Sequence, residues 1–183
     1  MPVTKTTDPP MCFPENVLAD NSGESCWFAI HTKPRQEKAL AWNLIQIGIG
    51  YYLPLSKQRQ RSKNRSRFSV IPLFTSYLFI KCNSSQRLET YKTNRIIRAI
   101  EVVDQDLFRR ELNAVHTVLS NRDVTTSNCD FKKGKKVRIV EGPLSGVEGL
   151  VLQRKNKKEL VVQVASIHQA LRVDIEFDKV ELL

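Results

Sequence analysis

The chain has 183 residues, of which 41% are apolar, and this is enough to build the cores of one or two small domains. Lys and Arg outnumber Asp and Glu by 29 to 19, and the resulting net charge of +10 favours a polyanionic partner such as nucleic acid or the ribosome. No apolar run approaches the roughly 18 residues that a membrane span requires, so we expect a soluble, cytoplasmic protein with no membrane partner.

The N-terminal part of the chain predicts a tail followed by a strand and a helix. Residues 1–24 contain four prolines among polar residues and show no apolar periodicity, which is typical of a flexible tail. A short strand is predicted over residues 26–32. The helix that follows has Pro34 in its first turn and Leu40 and Leu44 on one face.

Strands and helices then alternate along the chain. Strands are predicted over residues 51–55, 69–82 and 96–103, and helices over residues 85–92 and 106–119. The order β-α-β-β-α-β-α is typical of an α+β sandwich of ferredoxin-like type.

The sandwich is expected to occupy residues 25–121, followed by a polar linker over residues 122–129 and a second domain over residues 130–183. Five short strands are predicted in the second domain, over residues 137–140, 149–153, 160–166, 170–176 and 180–182. We expect them to form a small five-stranded β-barrel, because closing the sheet removes its exposed edges.

A turn rich in glycine lies between the first two strands of the second domain. Its residues are Gly142, Pro143, Gly146 and Gly149, in which proline fixes φ and glycine permits positive φ. This strand–turn–strand pattern resembles the KOW motif of transcription elongation factors and ribosomal proteins. The resemblance implies a small β-barrel domain that works in the gene-expression machinery.

Four segments of the first domain form a more specific pattern. They are Trp27-Phe28, the helix start KPRQEK at residues 33–38, Tyr52-Leu53-Pro54-Leu55, and PLFTSYLFI at residues 72–80. Together they resemble the N-terminal (NGN) domain of NusG-family proteins. With the linker and the KOW domain, the resemblance covers residues 26–183.

The resemblance implies a bacterial transcription elongation or antitermination factor that is a monomer, is not an enzyme and needs no cofactor. In the family, the N-terminal domain binds the clamp helices of RNA polymerase and favours processive elongation. The KOW domain recruits Rho or a small-subunit ribosomal protein. The nucleic acids expected nearby are non-template or upstream DNA and nascent RNA.

The strand over residues 73–80 has apolar residues on both faces, whereas the helices of a two-layer fold cover only one face of a sheet. Aromatic residues on an uncovered face are typical of a protein interface. With the family resemblance, this assigns polymerase contact to Phe74, Tyr77, Phe79 and His31. The alternative is that both faces are buried within the domain or under the KOW domain.

Six cations occupy every second position from residue 57 to residue 67, with no acidic residue among them. In an extended hairpin they would form rows that can follow a phosphate backbone, while the alternative is a solvated basic loop. In specialised relatives, the start of the first helix also meets non-template DNA. The candidate nucleic-acid residues are therefore Lys57, Arg59, Arg61, Lys63, Arg65 and Arg67 in the arm, and Lys33, Arg35, Gln36 and Lys38 in the helix start.

Two segments depart from the common family pattern. Thr75-Ser76 stands where that pattern has Pro-Gly, and the segment over residues 94–98 lacks its glycine. Such changes are typical of operon-specific antiterminator paralogues of the RfaH and UpxY kind. We therefore expect a specialised factor, with a general housekeeping NusG as the alternative.

The distribution of charge argues against a KOW-containing protein that binds ribosomal RNA, which is the second alternative. Residues 25–100 carry a net charge of +12, but residues 130–183 carry only +3. An enzyme is disfavoured because the phosphate-loop, dinucleotide and zinc-protease motifs are missing. The four cysteines form no C-x-x-C pair and have no histidine at metal-ligand spacing, so we expect reduced thiols, no disulfide framework and no metal site.

Overall fold

The computed structural model describes residues 8–20, 25–62, 65–121, 125–127, 134–141, 144–154, 157–175 and 180–183. The chain forms two compact units, Met1–Val102 and Val103–Leu183. Among the described residues, no helix is both long enough and apolar enough to cross a membrane.

The first unit is built on a five-stranded antiparallel sheet. Its elements in chain order are β1 (Cys12–Phe13), β2 (Cys26–Thr32), α1 (Glu37–Gln46), β3 (Gly50–Tyr52), β4 (Leu55–Ser62), β5 (Arg65–Pro72), β6 (Tyr77–Cys82), α2 (Ser84–Lys92) and β7 (Ile96–Glu101). The strand order in the sheet is β1-β3-β6-β2-β7, so β6 and β2 lie in its interior. Helix α2 begins with a capping box formed by Asn83 and Gln86.

Helices α1 and α2 contact the same face of this sheet. Leu40 and Leu44 of α1 pack in one cluster with Ile30 of β2 and with alternate residues of β6. The guanidinium of Arg87 in α2 lies 4.9 Å from the ring centroid of Phe28, which shares a face with Ile30 because strand residues alternate. The mixed α and β architecture agrees with the expected sandwich, with both helices on one side.

Strands β4 and β5 form a separate two-stranded antiparallel sheet, paired from Leu55↔Pro72 to Ser62↔Arg65. The described residues of the basic arm therefore pair as an extended hairpin. Because residues alternate along a strand, positions 57, 59 and 61 share one face of the hairpin, and positions 65 and 67 lie on the other. Position 63 lies outside the described residues.

The single strand expected over residues 69–82 is two strands, β5 and β6, with a turn between them. Ser76 in this turn has a φ of +64°, in the left-handed region. The N–H group of Tyr77 donates to the carbonyl oxygen of Phe74 at 3.1 Å. The largely apolar composition of the segment did not indicate this turn, which connects β5 of the hairpin to β6 of the sheet.

Residues 8–20 form part of the first unit, so the expectation of a flexible tail is wrong for them. Strand β1 pairs with β3 at the edge of the sheet. Val17 and Leu18 are buried. The ammonium group of Lys81 donates to the carboxylate of Asp20 at 2.9 Å and to its carbonyl oxygen at 2.6 Å. A few apolar side chains and the ion pairs of Asp8 and Asp20 fix a segment whose composition is otherwise typical of disorder.

The second unit combines one helix with an antiparallel sheet. Its elements are α3 (Gln105–Asn121), β8 (Thr125–Ser127), β9 (Lys135–Ile139), β10 (Glu148–Arg154), β11 (Lys157–Val164), β12 (Gln169–Asp174) and β13 (Val180–Leu182), with a 3₁₀ turn at Ala165–Ile167. The strand order is β13-β9-β10-β11-β12-β8. Helix α3, which was expected at the end of the first domain, falls within the second unit.

The five strands predicted after residue 130 are present, but the described pairings do not close them into a barrel. A closed barrel would pair β13 with the free edge of β12. That edge is instead occupied by β8, where Ser127 pairs with Ala170. The residues expected to be a linker thus contribute a sixth strand, and no pairing among the described residues joins β13 to β8.

A candidate docking face and basic surface

The face of the first sheet opposite the helices has a buried aromatic centre. Phe79 packs against Tyr52, with ring centroids 6.3 Å apart, and edge-to-face against Phe74 at 6.1 Å. All three side chains are almost completely buried. Phe74 and Phe79 were predicted to contact a partner, but in this structure they are core residues, and their truncation would damage the fold.

His31 and Tyr77 form an accessible aromatic pair on the same face. They are directly opposed on β2 and β6, and their rings stack with centroids 5.1 Å apart and planes at 18°. Both side chains are half-buried. Of the four residues predicted to contact polymerase, these two have solvent-accessible side chains and the other two are buried.

Glu37, at the start of α1, holds the turn that carries Phe74 and Tyr77. It is only 4% exposed, and its carboxylate accepts a hydrogen bond from the N–H group of Ser76 at 2.6 Å. Ser76 adopts positive φ where the common family pattern has glycine, so this bond supports a backbone conformation that side chains disfavour. Sequence reasoning missed Glu37, although it is one of only two acidic residues between positions 25 and 100.

Lys38 anchors the base of the hairpin. Its ammonium group donates to the carbonyl oxygen of Val70 in β5 at 2.6 Å and to the carboxylate of Asp8 at 2.5 Å. Lys38 was predicted to contact nucleic acid, but these bonds give it a structural role between α1, the hairpin and the N-terminal segment. The exposed Lys57 lies at the start of the hairpin, on its 57–59–61 face.

The remaining polar residues at the start of α1 meet the loop before β7. Lys33 donates to the side-chain oxygen of Asn94 at 2.9 Å, and the guanidinium of Arg95 donates to the side-chain oxygen of Gln36. Arg35 is exposed and has a φ of +61°. The four predicted residues therefore lie close together, with Arg35 directed to solvent and the other three hydrogen-bonded within the unit.

The glycine-rich turn of the second unit is described in part. Gly146 has a φ of +85°, and its N–H group donates to the carbonyl oxygen of Ile139 at 2.8 Å. A Cβ atom at Gly149 would lie 2.6 Å from the carbonyl oxygen of Val161, so only glycine fits there. Gly142 and Pro143 lie outside the described residues.

A cavity of about 640 Å³ lies between α3 and the sheet of the second unit, lined by apolar residues such as Ala114, Leu150 and Val162. At its margin, the carboxylate of Glu111 accepts a hydrogen bond from the N–H group of Ala165 at 3.2 Å. Burial raises the pKa of the Glu111 carboxyl to about 7, although this hydrogen bond lowers it. Glu111 therefore links the helix to the first residue of the 3₁₀ turn.

Residues 25–127, more than half of the chain, match the protein family described as Transcription termination factor nusG. A solved structure described as "Domain interaction in Thermotoga maritima NusG" resembles the chain with a TM-score of 0.51 and 15% sequence identity. The likeness covers 86% of this chain and 97% of that one. At this identity, the solved structure shows a shared fold.

The Glu111 carboxyl predicts a pH dependence of stability. In the folded protein it keeps its proton to about pH 7, whereas its ordinary pKa is 4.5. The associated stabilisation is complete below about pH 4.5 and is lost as pH rises through about 7. Glu111→Gln keeps an acceptor for Ala165 and should remove this decrease, which urea unfolding of the full chain between about pH 5 and 7 would measure.

Two other groups provide the controls. Burial lowers the pKa of His116, so stability contributed by this residue rises with pH. Wild type and Glu111→Gln both contain His116, so its effect is shared by the two proteins. The hydrogen bond from Arg138 lowers the pKa of Glu148, so Glu148→Gln should leave the slope above about pH 5 unchanged. Equal slopes for wild type and Glu111→Gln would contradict the prediction.

Proposed function

The chain belongs to the NusG family of transcription factors, and from this membership we propose that it binds the clamp helices of RNA polymerase through its first unit and promotes processive elongation. It acts by binding and not by catalysis. The observation that carries the proposal is the His31–Tyr77 pair, an accessible aromatic stack on the face of the sheet that α1 and α2 leave uncovered.

The buried centre of this face supports its use for docking. Tyr52, Phe74 and Phe79 form a packed base beside the accessible pair, and the bond from Ser76 to Glu37 fixes the adjacent turn. Residues held in this way lose little conformational freedom when a partner binds, which favours affinity. The proposed contact therefore rests on His31 and Tyr77, with Phe74 and Phe79 as support.

Substitutions on this face should separate binding from folding. Tyr77→Ala combined with His31→Ala should weaken binding to isolated clamp helices by about 2–4 kcal/mol, as for central interface anchors, and leave the protein folded. Phe79→Ala should instead lower the free energy of unfolding by about 3–5 kcal/mol, because it opens a cavity in a packed core. Calorimetric binding and urea unfolding would measure the two effects.

Leu88→Ala supplies the control for this comparison. Leu88 is 64% exposed on α2, the helix on the opposite face of the sheet, so its truncation should change neither binding nor stability appreciably. Unchanged affinity in a folded His31→Ala and Tyr77→Ala double variant would refute the docking assignment.

We further propose that the basic hairpin contacts nucleic acid in the elongation complex, either upstream or non-template DNA or the nascent RNA. Residues two apart on a strand are about 6.8 Å apart, which is comparable to the through-space separation of neighbouring phosphates along a nucleic-acid strand. Positions 57, 59 and 61 share one face and all carry cations, so this face can follow successive phosphates. Exposed Arg35 extends the same proposal to the start of α1.

Charge reversal on the two faces of the hairpin tests this proposal. Arg59→Glu and Arg61→Glu together should weaken binding to an elongation complex and reduce the slope of log K against log salt by about 0.9 for each duplex phosphate that is no longer neutralised. Reversal of Arg65 and Arg67 on the opposite face is the matched control and should change the slope less. A slope that neither set alters would mean that the hairpin does not touch phosphates.

We also propose that the role of this factor is specialised and restricted to particular operons. Thr75-Ser76 supports this proposal, because this chain keeps a non-glycine residue at positive φ in the turn beside His31 and Tyr77. The second unit, with its KOW-like glycine turn, is proposed to recruit Rho or a small-subunit ribosomal protein. A general NusG role is the alternative.

Transcription through a pause site distinguishes a specialised from a general role. Two templates should be compared, one with the leader of the operon that encodes this chain and one with an unrelated leader. A specialised factor recruited by its own DNA element should shorten the pause only on the first template. Equal shortening on both would favour a general elongation factor.

A further inference from the structure

Two cysteines that are far apart in the sequence are directly opposed in the first sheet. Cys26, the first residue of β2, pairs in register with Cys82, the last residue of β6. Directly opposed residues of an antiparallel pair have α-carbons about 4.5–5.5 Å apart and side chains on the same face. Disulfides span about 4.4–6.8 Å between α-carbons, so this pair can be bridged without moving the strands.

The two thiols differ in accessibility. Both are free, but Cys26 is exposed and Cys82 is only 1% exposed. Burial raises the pKa of the Cys82 thiol to about 11, while the nearby Arg87 guanidinium acts in the opposite direction. Since the thiolate is the reacting form and a reagent must reach it, Cys26 is placed to react first and Cys82 to react second.

We propose that Cys26 and Cys82 form a redox-active dithiol that is oxidised to a disulfide by a low-molecular-weight disulfide such as oxidised glutathione. The Cys26 thiolate attacks one sulfur of the small disulfide, which forms a mixed disulfide and releases one small thiolate. Cys82 then loses its proton and attacks the Cys26 sulfur, which releases the second small thiolate. Two protein thiols are oxidised, one small disulfide is reduced to two thiols, and the two protons end on those thiols.

The bond would join two neighbouring interior strands of the sheet, β2 and β6. The loop that it closes contains α1, β3 and the whole β4–β5 hairpin, and a cross-link across so long a loop restricts the unfolded chain strongly. The cysteine pair lies at the opposite end of the β2–β6 ladder from His31 and Tyr77. Oxidation therefore locks the sheet without modifying the proposed docking pair, and the inference does not depend on the proposed function.

Differential alkylation of the full chain tests the proposal. In the reduced, folded protein, a bulky maleimide should label Cys26, and Cys82 should be labelled only after unfolding. After equilibration with oxidised glutathione, both should resist labelling even when unfolded, and proteolysis under non-reducing conditions should give one peptide pair joined through Cys26 and Cys82. The thermal midpoint of unfolding should rise on oxidation and fall back on reduction.

Three variants make the result specific. Cys82→Ser should accumulate the mixed disulfide on Cys26. Cys26→Ser should abolish both the linked peptides and the rise in the thermal midpoint. Because Cys26 is exposed, this second change leaves the core intact. Cys12→Ser, which alters a cysteine on β1, should behave like wild type. Linked peptides that involve Cys12 or Cys129 instead, or a Cys26 thiol that stays open to labelling after oxidation, would overturn the proposal.

Discussion

The sheet of the first unit is apolar on both faces of β6, while its two helices lie on one side, and this imbalance determines most of the remaining structure. Ile80 packs toward α1, but Phe79 points the other way and must be kept from water by different means. At the centre of the helix-free face, aromatic rings cover one another. Toward one end, Asp20 of the N-terminal segment neutralises Lys81, and at the other the His31–Tyr77 stack stays accessible. The proposed docking site lies where this cover is incomplete.

Helix α1 coordinates the two surfaces proposed to act in transcription. Glu37 bonds the turn before β6, and its neighbour Lys38 bonds the last part of β5. Two consecutive side chains of opposite charge thus attach the turn at Ser76 and the base of the basic hairpin to one helix. A shift of α1 would move both surfaces together, so their relative placement within the first unit is fixed by local chemistry.

Sequence patterns predicted the features that depend on nearby residues and missed those that depend on pairing between distant ones. Alternation located the strands of the second unit but left the basic arm open between a hairpin and a solvated loop. The two apolar faces of β6 were visible in its composition. The burial of Phe79 was not visible in the sequence, because alternation along a strand assigns a side chain to one face of the sheet but does not say what covers that face. The helix over residues 106–119 was predicted from its sequence, but the unit that α3 belongs to was not. The pairing of β8 with β12, and of Cys26 with Cys82, depends on register, for which local spacing gives no signal.

The pairings of β1 and β8 have a practical consequence for work with fragments of this chain. The family match, residues 25–127, begins after β1 and ends with β8. A fragment cut at those limits would strip β3 of its edge partner and leave Lys81 buried without its carboxylate. It would also keep β8 while discarding β12, so unpaired strand edges would face solvent at both termini. Such edges promote association between chains, so boundaries drawn from family similarity would give a poorly soluble fragment, whereas boundaries drawn from strand pairing avoid this.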